Sequence, residues 1–124
     1  MSDFSKTLGV TASGLQAQAA RLRHLSENIA NADTPGYRRK TVAFLPRGQG
    51  VELGRVSLDP STGVQHFDPS HPLAGPGGYY EGSNVNLIIE IADAREAQRS
   101  YEANLKIFDQ TRQMSSALLD LLRR

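Results

Sequence analysis

The chain has 124 residues, 14 Lys+Arg against 13 Asp+Glu, and a formal net charge of +1. That balance gives no broad electrostatic pull toward nucleic acid or an acidic membrane. No cysteine is present, which removes a disulfide framework and a thiolate metal site and suits a chain that enters an oxidising compartment.

The first predicted element is a helix. Leu8, Leu15, Leu22 and Ile29 fall seven apart, so they share one face of a slightly underwound helix and want a partner helix along it. Asp3 or Ser5 is the expected N-cap, since a short side-chain oxygen accepts from the first free helical N–H groups. Ala12, Ala19 and Ser26 follow the seam residues by four and would let another helix approach closely. Asn31-Ala32-Asp33-Thr34-Pro35-Gly36 ends the helix. Proline disfavours helical dihedrals at Thr34 and glycine accepts positive φ, so Thr34–Tyr37 reads as a type II turn.

A small β region is expected next. Tyr37 to Leu45 contains a strand anchored by Tyr37, Val42 and Phe44, with Arg38-Arg39-Lys40 exposed. Val51 to Leu58 alternates, and its phase shift at Gly54-Arg55 predicts a bulge. Asp59 to Gly63 reads as a turn, with Val64 to Phe67 returning as the second arm of a hairpin. Asp68 to Gly82 carries three prolines and is expected to be an irregular loop.

Ser83, Asn84 and Asn86 are candidate N-caps for a long final helix, Asn86 to Leu122, of about 55 Å at 1.5 Å per residue. Leu87, Ala94, Tyr101, Phe108, Ser115 and Leu122 make its seven-residue seam, with Leu105 beside it. Both helices outrun the region between them, and the excess predicts burial against other chains. The fold class is mainly α with a small β region: long N- and C-terminal helices packing in coiled-coil fashion around a short β/loop insert. The expected divisions are an N-terminal helix over 1–31, a β-hairpin and Pro/Gly-rich loop region over 32–84, and a C-terminal helix over 85–124. The expected assembly interface is Leu8, Leu15, Leu22, Ile29, Leu87, Ala94, Tyr101, Leu105, Phe108 and Leu122.

Candidate chemistry is sparse. His66, Asp68 and His71 lie close in sequence, but their spacing matches no strong metal signature, so loop structure is the expected role. His24 is expected to be solvated on the polar side of the first helix. No serine sits in a Gly-x-Ser-x-Gly elbow, and Gly48-Gln49-Gly50 lacks the third glycine and following helix of a dinucleotide loop. Glu90, Asp93 and Glu96 recur at helical spacing and read as a solvated or intersubunit face, with Glu96–Arg99 and Glu102–Lys106 as helix-surface pairs. Arg38-Arg39-Lys40 reads as a charged strand edge or a contact to an acidic neighbouring subunit. No catalytic residue, cofactor or metal site is assigned, and no nucleic-acid partner. The first residues lack the basic and apolar regions of a secretory signal, and no apolar run approaches the roughly 20 residues needed to span a bilayer.

Two stretches carry a resemblance. Ser26 to Lys40, with Asn28 and Asn31 running into Thr34-Pro35-Gly36-Tyr37, resembles the N-terminal signature of the bacterial flagellar basal-body rod family. Glu96 to Lys106, with Arg99, Tyr101 and Asn104, resembles the family's C-terminal signature. Both stand at the correct ends and in the correct order. Family members differ mainly in the insert between these helices, and the short insert here fits the two proximal-rod members; the Asp68–Pro72 loop, Gly78-Tyr79 and the Asn84–Leu87 entry resemble one of these sisters, and the loop with the Tyr101–Asn104 segment favours it over the other. The resemblance implies a structural subunit that self-assembles into a helical tube transmitting motor torque and surrounding the export channel. It also implies export by the flagellar type III apparatus without a cleaved signal. The implied partners are other copies, other rod proteins and the membrane-ring end of the motor. A cytoplasmic coiled-coil adaptor would explain the seams but neither signature.

Overall fold

A computed structural model describes residues 2–123. Helix α1 runs Ser2–Ala30 and helix α2 runs Leu87–Leu122. Between them lie β1 (Lys40–Thr41), β2 (Phe44–Arg47), β3 (Gly50–Leu53), β4 (Ser57–Leu58), β5 (Gln65–Phe67) and β6 (Tyr79–Glu81). The expected fold class, two long helices around a small β region, is the observed one. Asp3 and Ser5 both lie inside α1 rather than capping it, and Asp3 places its carboxylate in the first turn, where the helix dipole favours negative charge.

The two helices form an antiparallel hairpin. A Cβ added to Gly14 would lie 3.0 Å from Asn104 Nδ2, Arg21 reaches Glu96 at 3.8 Å, and Asn28 meets Glu90. Partners on α2 therefore descend as α1 advances. The contact runs along Gly14, Arg21 and Asn28 of α1 and Glu90, Glu96 and Asn104 of α2, with seam residues Leu8, Leu15, Leu22, Ala94, Tyr101 and Phe108 half-buried, so each helix has the partner helix that its period requires.

The turn out of α1 has the expected form. Tyr37 N–H donates to Thr34 O at 3.2 Å, and Gly36 has φ of 74°, as the third position of a type II turn demands. The chain then enters one interrupted antiparallel hairpin. β1 pairs with β4 and β2 with β3, and Gly54-Arg55-Val56 on one arm stands opposite Val42-Ala43 on the other. The extra residue is the bulge that the sequence phase shift predicts. The strand expected to stop at Leu45 continues to Arg47 through Pro46, which is tolerated because a two-stranded ribbon leaves an edge where no donor is needed. Gly48, with φ of 60°, sits first in the two-residue loop, where a type II′ hairpin turn needs positive φ.

Val64–Phe67 does not return on the preceding strand. β5 pairs instead with β6, Phe67 opposite Tyr79 and His66 opposite Tyr80, so the stretch expected as loop contains a strand. Cross-strand ring packing selects this pairing: the Phe67 and Tyr79 centroids lie 5.0 Å apart.

Asn86 caps α2, its side chain accepting from Ile88 N and Ile89 N. Ser83 and Asn84 serve the junction described below. The apolar core is thin, since Ala17, Leu25 and Ala97 are the buried hydrophobic residues among those described.

Candidate functional site

The junction where α1 ends and α2 begins is polar and closed. Asn28, on the last turn of α1, is fully buried. Its Oδ1 accepts from Tyr37 Oη at 2.8 Å and from Lys40 N at 2.9 Å. Its Nδ2 donates to Lys40 O at 3.0 Å and to Glu90 Oε2 at 3.4 Å. Both donor and both acceptor positions of one amide are thus used. Glu90 is likewise fully buried, and its Oε1 accepts from Arg39 Nε at 2.6 Å. The burial of Glu90 corrects the expectation of a solvated carboxylate face: a carboxylate leaves water when a guanidinium and an amide replace its hydration.

Further bonds tie this centre to the turn and to the entry of α2. Asn31 Nδ2 donates to Glu27 O at 2.9 Å, and Thr34 Oγ1 donates to Asn31 Oδ1 at 3.1 Å. Asn84 accepts from Arg39 N at 2.7 Å and donates to Asp59 O at 3.0 Å. Ser83 Oγ donates to Ala32 O. The backbone joins in, with Gly36 N–H donating to Glu81 O at 3.2 Å. The signature residues Asn28, Asn31, Thr34, Gly36 and Tyr37 therefore form one connected lock, with Pro35 exposed at its corner.

The basic run is paired inside the chain rather than exposed. Arg38 contacts Glu81 at 2.9 Å, Arg39 contacts Glu90 and, at 3.4 Å, Asp59, and Lys40 contacts Glu27 at 2.5 Å. The acidic neighbours predicted on another subunit are thus supplied by this one. The hydrogen bond to Glu90 raises the Arg39 pKa above its ordinary value. The hydrogen bond from Lys40 lowers Glu27, and the same bond raises Lys40. Burial raises the Tyr37 hydroxyl. The backbone N–H of Ser61 holds Asp59 below the ordinary carboxylate value.

The proposed interface residues fall into two groups. Leu8, Leu15, Leu22, Ile29, Ala94, Tyr101 and Phe108 are half-buried, on or beside the rows that meet between α1 and α2. Leu87, Leu105 and Leu122 are exposed. Of the C-terminal signature, Asn104 lies against Gly14, Tyr101 is half-buried and Arg99 is exposed. The predicted surface pairs are replaced. Glu96 faces Arg21 on the other helix, and Glu102 accepts from Gln98 at 3.3 Å.

His24 is half-buried rather than solvated, and its Nδ1 is sealed from water without a partner. His71 stacks on Tyr80 with centroids 3.8 Å apart. Among the described residues no His, Asp and Glu group gathers into a metal-holding cluster, and no helix is long and apolar enough to cross a membrane.

Glu90, Arg39, Asn84 and Ser83 were not singled out as site residues from sequence. The one available signal for Glu90 was its position in the first turn of a helix whose neighbours Ile88, Ile89 and Ile91 are apolar.

The surface of α2, from the lock to its far end, is unusually apolar. Ile88, Met114, Leu121 and Leu122 are 81%, 60%, 63% and 71% exposed, and Leu87, Ile89, Ile91, Leu105 and Ile107 are exposed on the same helix. The accessible area is 8546 Å², against about 6,500 Å² expected for a compact monomer of 13.5 kDa. A fold with a polar lock at one end, a thin core and this much uncovered apolar helix is that of an assembly subunit.

Comparison with known proteins identifies the family. The family described as flagella basal body rod protein matches residues 8–38, and the family described as flagellar basal body rod FlgEFG protein C-terminal matches residues 77–121. The flagellar basal-body rod protein FlgC of Agrobacterium fabrum is 44% identical, over 99% of this chain and 98% of its own. The proteins of the same name from Borreliella burgdorferi and Bacillus subtilis are 32% and 30% identical, over 94% and 93% of this chain and 95% of each of theirs. The chain belongs to the flagellar basal-body rod protein family, whose members are structural.

Proposed function

We propose that this protein is a subunit of the proximal rod, polymerising with copies of itself and with other rod proteins into a helical tube that surrounds the export channel and carries motor torque. The observation that carries the reading is the exposed apolar length of α2, which no described segment of the same chain covers. A heterologous contact repeated without closing makes an open helix, and two long helices per subunit give such a tube a continuous layer. The lock at Asn28 and Glu90 supports torque transfer, because it joins α1, the β region and α2 into one unit whose parts turn together. The role is structural, with no catalytic step. Partners beyond copies of itself are other rod proteins, the membrane-ring end of the motor, and the type III apparatus that exports the chain without cleaving a signal.

The test is removal of the gene followed by isolation of basal bodies. Cells without the protein are expected to be non-motile and to lack complete rods, and the restored protein is expected to co-purify with the rod. Normal rods without it would overturn the reading.

A further inference from the structure

Each helix carries a second seven-residue stripe beside the one that faces its partner. On α1 the inward residues Gly14, Arg21 and Asn28 are flanked by Leu8, Thr11, Leu15, Leu22 and Leu25. The positions one residue later are Gly9, Ala12, Gln16, Ala19, Arg23 and Ser26, all exposed except half-buried Ala12. A Cβ at Gly9 would meet nothing within 4 Å. On α2 the inward row includes Asn104, Phe108, Thr111 and Ser115. The positions one residue earlier are Ala103, Ile107, Gln110, Met114 and Ala117, all exposed, with Ile107 at 46% and Met114 at 60%.

These stripes lie on opposite faces of the hairpin. One residue turns a helix by about 100°. A step forward on α1 and a step back on antiparallel α2 are turns of the same sense when viewed from one end. The inward rows point at each other, so equal turns carry the stripes to opposite sides. One face is thus lined by small groups of α1, and the other by bulky apolar groups of α2 beside the β2–β3 hairpin, which packs on the Ser13 side of α1.

We propose that the Ile107–Met114 stripe of one copy seats on the Gly9–Ala12–Ala19 stripe of the next. This rests on the reading of the chain as a rod subunit and names the surfaces that join two copies. The occupant is a second copy because the two faces match in height and in charge. Gly14 is level with Asn104 and Asn28 with Glu90. In a neighbour stacked without axial shift, Ala12 therefore lies level with Ile107, and Arg23 with Asp93 and Glu96. Glu96 is 69% exposed at its side chain despite its contact to Arg21, so it has room for a second guanidinium. With Ala12 under Ile107 and exposed Ser5, one heptad earlier, under Met114, small groups bring the helix axes to the 8–10 Å of ordinary packing. Because the faces differ, the contact is heterologous and propagates rather than closing into a dimer.

The chain has no cysteine, so introduced thiols report without background. Cells whose only copy is Ala12→Cys with Ile107→Cys are the source of basal bodies, which are oxidised and run without reductant. A ladder of dimers and higher multimers is expected, and neither single variant should give one. A dimer from Ala12→Cys alone would show a closed contact and overturn the proposal, as would a ladder from Ala12→Cys with Leu105→Cys and none with Ile107→Cys. If the double variant does not enter the rod, the charges decide. Arg23→Glu should lose motility and Arg23→Glu with Asp93→Arg should regain it; loss in both overturns the contact. Absence of the unaltered protein from basal bodies would instead overturn the rod reading beneath it.

Discussion

The Asn28 amide donates to the Glu90 carboxylate across the helix hairpin at 3.4 Å, and these are the two largest fully buried side chains among the described residues. A residue of the N-terminal signature is thereby fastened to a residue of α2 outside either signature stretch, and Arg39 closes the third side at 2.6 Å.

Removing one member of this trio should cost far more than removing two. Glu90→Leu leaves the Arg39 guanidinium, 23% exposed, with only the longer contact to Asp59 and the Asn28 amide with one acceptor fewer, at about 3 kcal/mol. Arg39→Met combined with Glu90→Leu should recover most of that loss, since no uncompensated charge remains. Urea unfolding of the two variants checks it, and equal stability would show that the trio does not act as a unit.

Gly36 isolates a backbone effect. Its φ is 74°, and a Cβ there meets nothing within 4 Å, so any penalty for a side chain comes from dihedral strain. Gly36→Val should lose about 1–2 kcal/mol and incorporate poorly into rods, because one wrong helix exit recurs in every subunit. Gly36→Asn, which tolerates positive φ, should keep partial motility. Equal motility of the two would mean that the backbone conformation is not what the turn preserves.

Leu15 and Leu105 should separate folding from assembly. Leu15 is half-buried next to Gly14, which meets α2, so Leu15→Asp should destabilise the isolated protein by several kcal/mol where the carboxylate is desolvated. Leu105 is 39% exposed, and Leu105→Asp should leave monomer stability within about 0.5 kcal/mol while abolishing motility. Unfolding curves read beside swimming assays check both halves, and normal swimming by Leu105→Asp would remove that face from the interface.

Acid should loosen the Glu27–Lys40 clamp. Lys40 lowers Glu27 below its ordinary value of 4.5 in the folded chain. The stability from this shift is complete above the unfolded value and is lost as pH falls through the lower folded value. Thermal melts between pH 6 and pH 3 should therefore show a steeper fall for the unaltered protein than for Glu27→Gln. Parallel curves would mean that the pair adds no pH-dependent stability.

Several features were legible before any coordinates because their causes are local. Pro35 and Gly36 set their own dihedrals, which determined the type II turn. Asn86 reaches N–H groups only two and three residues on, so its capping role could be read from sequence. The bulge at Gly54-Arg55 showed as a slip in alternation, and both helices showed as a period. What only the tertiary structure decided concerns partners. A heptad row states that it needs another row and not which one, so coiled-coil packing of the helices could be read from sequence, but not that Gly14, Arg21 and Asn28 would meet Asn104, Glu96 and Glu90. The return of β5 on β6 depended on rings brought together by a loop whose closure no local pattern encodes. The acceptor for Arg39 stands 51 positions away. Exposed pairs at helical spacing were the local alternative for Glu90, and they lost because the closed junction gives the carboxylate better hydrogen bonds than a neighbouring turn offers.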